Sequence, residues 1–493
     1  MTHKKLSDAL SELQDRHIDE AVHYKKKRPI RWIAPIAAVL ALAILVGTLW
    51  RPGSTTPGAP SGTVPGLQEV DPPKPGSPSG THLQHVVVKA EYPKMAHHPE
   101  LPQGGDYTSW QKDQLAMHAQ PEGYADTLQD FWLELNQSLL VSNSGSNVTC
   151  SPVNIYMALA MLAETTGGES RQQILDALGA GSIEDIRTQA KQIWQGHYND
   201  DGLSTSILAN SLWMQENYGF NMDTADLLAK AYYASVFQGN LGSDEMTDAL
   251  KAWLSEQTGG MLDDQIDGIS LHPRTVLALA STIYYKVQWA NRFIEELNTK
   301  DTFHGTKGET TETFMHKALM NSSYFWSDRF GATFLNLQDG SRMWLFLPDE
   351  GVAPEDIVKE AHAFLQSNPD RSTNQKLLQI NLSLPKFDVC ADLDLQDAFK
   401  QMGITHIFDS TKADFTPLLT GDDDGFISDA KHAARVAIDE KGVTAAAYTL
   451  ILRDATSAPP AGNEIDFVLD RPFLFYIESE DGLPLFTGIV NEP

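Results

Sequence analysis

The stretch from Ile438 to Ser457, IDEKGVTAAAYTLILRDATS, constrains this chain more than any other, because few structural settings suit its composition. It opens on Glu440, Lys441 and Gly442, and the eleven residues from Gly442 to Leu452 then carry neither charge nor proline. Thr444, Tyr448, Thr449, Leu450 and Ile451 are strand formers, whereas Ala445, Ala446 and Ala447 are small. Alternate residues of a strand face opposite ways. One face would be Val443, Ala445, Ala447, Thr449 and Ile451, the other Thr444, Ala446, Tyr448, Leu450 and Leu452. Neither face is polar enough for a permanently solvated loop, and neither end carries a tight-hairpin signal. An aliphatic edge strand or an alanine-rich helical turn accommodates the same window. The reading that uses every feature is a strand held outside a sheet, with Gly442 where the chain folds over.

The other end of the chain is organised differently. Its first 31 residues hold Lys4, Lys5, Arg16, Lys25, Lys26, Lys27, Arg28 and Arg31 against five acids. Leu10, Leu13 and Ile18 recur there at roughly helical spacing. Residues 32–50 then run for 19 positions without a charge, bounded by Trp32 and Trp50. That length spans a bilayer core as a helix, and tryptophans suit its two interfaces. A cleaved signal peptide fits less well: the leading region is long, and no clean A-x-A site follows. The basic cluster at Lys25–Arg31 against a lone Arg51 predicts a single-pass anchor in the cell membrane, with residues 1–31 inside and the remainder outside. Residues 51–120 form a linker and pre-domain segment, rich in Pro, Gly and Ser up to about residue 82, and part of the piece from 83 to 120 is expected to pack on the folded domain. The histidines that follow (His82, His85, His97, His98 and His118) match no ordinary metal-ligand spacing.

The 493 residues carry 65 acids against 37 bases, a formal charge of −28, which disfavours nucleic acid as a partner. With two cysteines, Cys150 and Cys390, at most one disulfide is possible, and the apolar surroundings of Cys150 favour a buried thiol. Residues 121–493 read as the folded body. Ala125–Val141 has helical apolar spacing, Ser151 and Pro152 look like the cap and first turn of a second helix, and GESRQQILDALG is a third, with Ser170 as cap and Gly179 as stop. No G-x-S-x-G elbow, H-E-x-x-H pair, phosphate-binding glycine loop or C-x-x-C pair is present, so nothing in the sequence points to an enzyme or to a cofactor.

Several blocks of this body resemble the serpin family, and they do so in the family's order. They are NVTCSPVNIYMALAMLAETTGGESRQQILDALG, ILANSLWMQENY, LKAWLSEQTGGML (Lys251 standing where asparagine is usual), TVLALASTIYYKVQWANRF, SLPKFDVCADLDLQDAFKQMGITHIFDSTKADF, FISDAKHAARVAIDEKG, FVLDRPFLFYI and LFTGIVNEP. The resemblance implies an α+β fold with a large central β-sheet, two smaller sheets and surrounding helices, here preceded by one transmembrane helix. It implies that Glu440 to Ala447 (Glu440, Lys441, Gly442, Val443, Thr444, Ala445, Ala446 and Ala447) form the hinge of a reactive-centre loop. It further implies a polar cluster under the opening sheet at Ser151, Asn154, Ser281 and His432. Asn154 and Ser281 look exchanged relative to the usual serine and asparagine. At the top of the sheet it implies an ion pair between Lys386 and Glu440, with Trp289 packed nearby.

The implied activity is one-shot inhibition of a serine protease by a monomer, through an acyl-enzyme trapped by loop insertion. Counting fourteen residues on from Gly442 puts the reactive bond between Thr456 and Ser457. Small residues there suit an elastase-like or subtilisin-like target, whereas a cut after Arg453 would shorten the inserting strand. The alternative is a non-inhibitory, serpin-shaped surface binding protein. Small Val443, the Ala445–Ala447 run and the absence of proline favour inhibition, and Tyr448 is the one oversized residue. The segment GSIEDIRTQAKQIWQGHYND lacks the basic cluster a heparin-type activator would need. The anchor and the scarcity of cysteine point to a bacterial surface protein.

Overall fold

Strand-forming residues run through nineteen short to long segments of the described chain, and backbone pairing gathers seventeen of them into two large sheets and the other two into a small pair. The computed structural model describes residues 81–99, 105–121, 123–202, 204–266, 275–367, 374–421, 425–427, 430–443 and 463–493, with Ile269 and Leu271. Chain order begins with β1 (Val86–Val88), α1 (Gly105–His118), α2 (Gln129–Asn136), β2 (Val148–Cys150), α3 (Pro152–Thr165), α4 (Gly168–Ala177) and α5 (Ile183–His197). Then come β3 (Asn199–Asp200), β4 (Thr205–Gln215), β5 (Gly219–Phe220), α6 (Met222–Ala231), β6 (Ala234–Gly239), α7 (Asp244–Gln257), α8 (Asp263–Ile266) and β7 (Leu277–Gln288). The middle of the chain supplies β8 (Thr299–Gly305), β9 (Gly308–Trp326), β10 (Phe330–Asn336), β11 (Arg342–Pro348), α9 (Val358–Gln366), β12 (Gln375–Pro385), β13 (Phe387–Asp394) and α10 (Gln396–Gln401). It ends with β14 (Leu419–Thr420), β15 (Lys431–Ile438), β16 (Gly442–Val443), β17 (Glu464–Val468), β18 (Phe473–Glu478) and β19 (Pro484–Val490).

The first sheet has eight strands, ordered β1-β6-β4-β7-β16-β15-β13, with β3 paired to β4. The second has nine, ordered β17-β12-β9-β10-β11-β18-β19-β2, with β8 on β9. Two smaller sheets were expected here, and they are continuous instead. The 19-residue β9 pairs with β8 and β12 along its length and with β10 at its end, so one ladder joins both halves. Strands β5 and β14 make a small separate pair.

Under β7 lies α3, in which every residue except Ala158 is buried, as an almost wholly apolar helix must be. Pro152 does open it, but the Ser151 hydroxyl makes no capping bond. Ser170 is no cap either: it sits inside α4, behind the true N-cap Gly167, and its hydroxyl accepts the Asp414 N–H at 3.1 Å. Gly179 does stop that helix, at φ +65°, with Ala180 N–H returning to the Leu175 carbonyl at 2.9 Å.

Residues counted with the linker also join the fold. β1 pairs antiparallel with β6, covering that edge of the first sheet. Tyr92 stacks on Trp194 at 5.6 Å, and the Trp110 indole donates to the Ala96 carbonyl. Cys150 is a buried thiol and Cys390 a half-buried one, and the two are not joined in a disulfide. Among the described residues no helix is long and apolar enough to cross a membrane, and the predicted anchor, 32–50, lies outside them.

Candidate functional site at the hinge of the first sheet

β16 is two residues long and lies between β7 and β15, antiparallel to both. Gly442 stands opposite Gln288, and Val443 opposite Val287 on one side and Ile438 on the other. A Cβ at Gly442 would come 2.3 Å from the Val287 carbonyl oxygen and 2.6 Å from Gln288 Cα, so only glycine lets the chain enter here. The glycine therefore serves close approach as well as the expected fold-over, since it closes the four-residue turn that begins at Asp439. Asp439 Oδ1 accepts the N–H groups of Lys441 (2.7 Å) and Gly442 (3.1 Å), while Asp439 N–H donates to the Gly442 carbonyl at 3.1 Å. A tight hairpin thus does stand at this end of the stretch. Its signal was legible: aspartate at the first turn position and glycine at the fourth.

Three successive carbonyls of that hairpin are held by the segment after β7. The Trp289 indole N–H donates to the Asp439 carbonyl (2.8 Å), Phe293 N–H to Glu440 (2.9 Å) and Trp289 N–H to Lys441 (2.9 Å). Trp289 is fully buried, and Phe293 meets its ring edge-on at 6.0 Å. The Glu440 carboxylate pairs with Lys386 Nζ at 2.5 Å and also accepts from the Asn298 amide. Burial works against its charge, but these hydrogen bonds prevail and hold its pKa below the usual glutamate value. Glu440 is 12% exposed and Lys386 34%, so the pair is better shielded from solvent than an ordinary surface bridge. Asn298 and Phe293 carry no local sequence signal for this role.

The four polar residues under the sheet meet in two pairs. Ser151 N–H donates to His432 Nε2 at 3.0 Å, joining the start of α3 to β15. This bond needs an unprotonated Nε2, and burial pushes the His432 pKa down to about 4. The Ser151 hydroxyl is buried without a hydrogen-bond partner among the described residues. Asn154 reaches β7 beside Ser281. In the amide orientation that satisfies both ends, its nitrogen donates to Ser281 Oγ (3.3 Å) and the Thr282 carbonyl (3.2 Å), and its oxygen accepts Ile283 N–H (3.0 Å). The amide donates two of these bonds at once, which a hydroxyl, with a single O–H, cannot do. Thr444, Ala445, Ala446 and Ala447, together with Thr456 and Ser457, lie outside the described residues. Among the described residues no group of three or more His, Cys, Asp or Glu could hold a metal ion.

Residues 126–493 match the family Serpin (serine protease inhibitor). The chain is similar to Serpin-Z10 of Arabidopsis thaliana, 28% identical over 366 residues that cover 71% of this chain and 92% of the relative. It is 28% identical to the leukocyte elastase inhibitor of Sus scrofa over 379 residues, 74% of this chain and 97% of the other. The native structure of the thermophilic serpin Tengpin superposes with a TM-score of 0.67 at 23% identity, covering 84% of this chain and 99% of that one. Native protease nexin-1 with heparin superposes at 0.65 and 23% identity, covering 75% and 99%.

Proposed function

As the chain belongs to the serpin family, we propose that it is an inhibitory member, consumed in trapping a serine protease by loop insertion. The observation that carries this reading is β16: Gly442 and Val443, the first two residues of the uncharged run, already lie as a strand between β7 and β15, with glycine where a side chain would clash. Insertion would continue this two-residue ladder down the sheet. The target's serine hydroxyl attacks the Thr456 carbonyl, the Thr456–Ser457 peptide bond breaks, and Ser457 leaves with a protonated amine as a new N-terminus. Thr456 stays esterified to the protease. Its fourteen-residue tether from Val443, about 45 Å when extended, then enters the sheet and carries the protease away from its docking point.

Small residues at Ala455 and Thr456 favour a target with a shallow primary pocket, elastase-like or subtilisin-like. The same proposal puts the protein in a bacterial cell membrane through residues 32–50, the serpin domain outside and acting as a monomer. The uncharged run between Trp32 and Trp50 and the preceding basic cluster support that placement. Mixing the chain with pancreatic elastase should yield an adduct that survives SDS, and the small released fragment should begin at Ser457. Complete conversion to cleaved product without adduct would sink the inhibitory reading.

A further inference from the structure

One cation is packed against the segment that grips the hairpin. Lys317 projects from β9, in the second sheet, and its half-buried ammonium donates to the carbonyls of Asn291 and Arg292, the latter at 3.0 Å. It also stands 5.1 Å from the centre of the Phe293 ring. Two backbone carbonyls and an aromatic face thus fill the places a carboxylate would usually take. Burial lowers its pKa to about 8, the mark of a lysine withdrawn from water.

Residues 289–293 have two sides. Their donors, Trp289 N–H, the Trp289 indole and Phe293 N–H, face the hairpin and hold Asp439, Glu440 and Lys441. The carbonyls between those donors, at Asn291 and Arg292, are the ones Lys317 holds from the other side. Charge-assisted bonds to two successive carbonyls fix both peptide planes, and so the direction in which the next N–H, that of Phe293, points.

We propose that Lys317 is a positioning residue for the hinge: by fixing residues 291–293 it holds the 439–441 hairpin where insertion begins. The proposal rests on the inhibitory reading for its kinetic consequence but not for its structural one. Without the ammonium, the 289–293 segment loosens, the hairpin with it, and β16 leaves its place between β7 and β15 more often. A cleaved loop then starts inserting later, and more acyl-enzyme is hydrolysed first.

The test uses the full chain carrying Lys317→Met, with Lys317→Arg as the conservative rescue and Lys317→Gln, which keeps N–H donors without the charge, as the second variant should the apolar one not fold. Hydrogen exchange read by mass spectrometry should be about tenfold faster at residues 439–443 in Lys317→Met, the loss expected for a charge-assisted bond. It should return to the wild-type rate in Lys317→Arg and lie between the two in Lys317→Gln. With elastase, the ratio of cleaved product to adduct should rise by a similar factor while the association rate stays within about twofold, because docking involves the loop and not its hinge. Unchanged exchange at 439–443 overturns the proposal whether or not an adduct forms. Acceleration spread evenly over β9 and β12 overturns it too, since that is general loosening of the second sheet. Wild-type chain that forms no adduct removes the inhibitory reading and leaves the exchange result to decide the role of Lys317.

Discussion

At the scale of single residues, His432 makes the first sheet sensitive to acid. Its ring is buried, accepts Ser151 N–H, and has its pKa pushed from 6.5 down to about 4. A lowered folded-state pKa contributes stability that is whole above the unfolded value and is lost as pH falls through the folded one. The window is therefore pH 6.5 down to about 4, and the full loss corresponds to about 3 kcal/mol. His197, also buried and pushed to about 3, acts in the same direction, so a single variant is needed to separate them. His432→Gln keeps an acceptor for Ser151 but does not titrate. Its melting temperature should fall less than that of the wild type when the pH is taken from about 7 to about 4.5; parallel curves would show that His432 is not the group responsible. Asn154 makes the complementary point: its amide spans Ser281, Thr282 and Ile283, which accounts for an amide on α3 facing a serine on β7.

At the scale of the element, β16 is defined by what surrounds it. Val443 is 2% exposed between Val287 and Ile438, and Gly442 has no space for a methyl group. Val443→Arg would bury an unpaired charge, and Gly442→Ala would push the chain off Val287 and Gln288, so both should expel the hinge from the sheet. The expected outcome is inhibitor turned substrate, read as the ratio of adduct to cleaved product on a denaturing gel. A ratio equal to that of the wild type in both variants would mean that entry at β16 does not matter to trapping. The element also shows why its glycine was only partly legible in the sequence. Glycine at the fourth position serves both a turn and a close approach, and only the neighbouring strand reveals the second requirement.

For the whole molecule, the two large sheets share α3 as a common floor and the 289–293 segment as a hinge support, so lengthening β16 should stabilise everything attached to the first sheet. Cutting the loop between Leu452 and Ala458 should therefore raise the melting temperature, by about 5 °C if insertion adds about 4 kcal/mol to a domain of this size. Calorimetry of intact and cut chain side by side provides the measurement. An unmoved transition would mean that the severed stretch does not enter the sheet.

The sequence by itself determined the family, through motifs in a fixed order, and it singled out Lys386 with Glu440, Ser151 with His432, and Trp289, which the structure places in contact with each other or with the neighbouring turn. It could do so because helical and strand periodicity, turn residues and motif order are all local properties of the chain. It also marked Gly442 as the place where the chain folds over, without showing the close approach that bars a side chain there. Tertiary structure alone decided that Ser151 reaches His432 across 281 positions instead of capping α3, and that Trp289 holds the Asp439 carbonyl across 150. The union of the expected smaller sheets along β9, and the place of Lys317 behind the hinge, were decided there too. A hydrogen bond between backbone groups bears no residue signature, and the charge of a lysine says nothing about which carbonyl it will meet. Such contacts exist only once distant segments have been brought together.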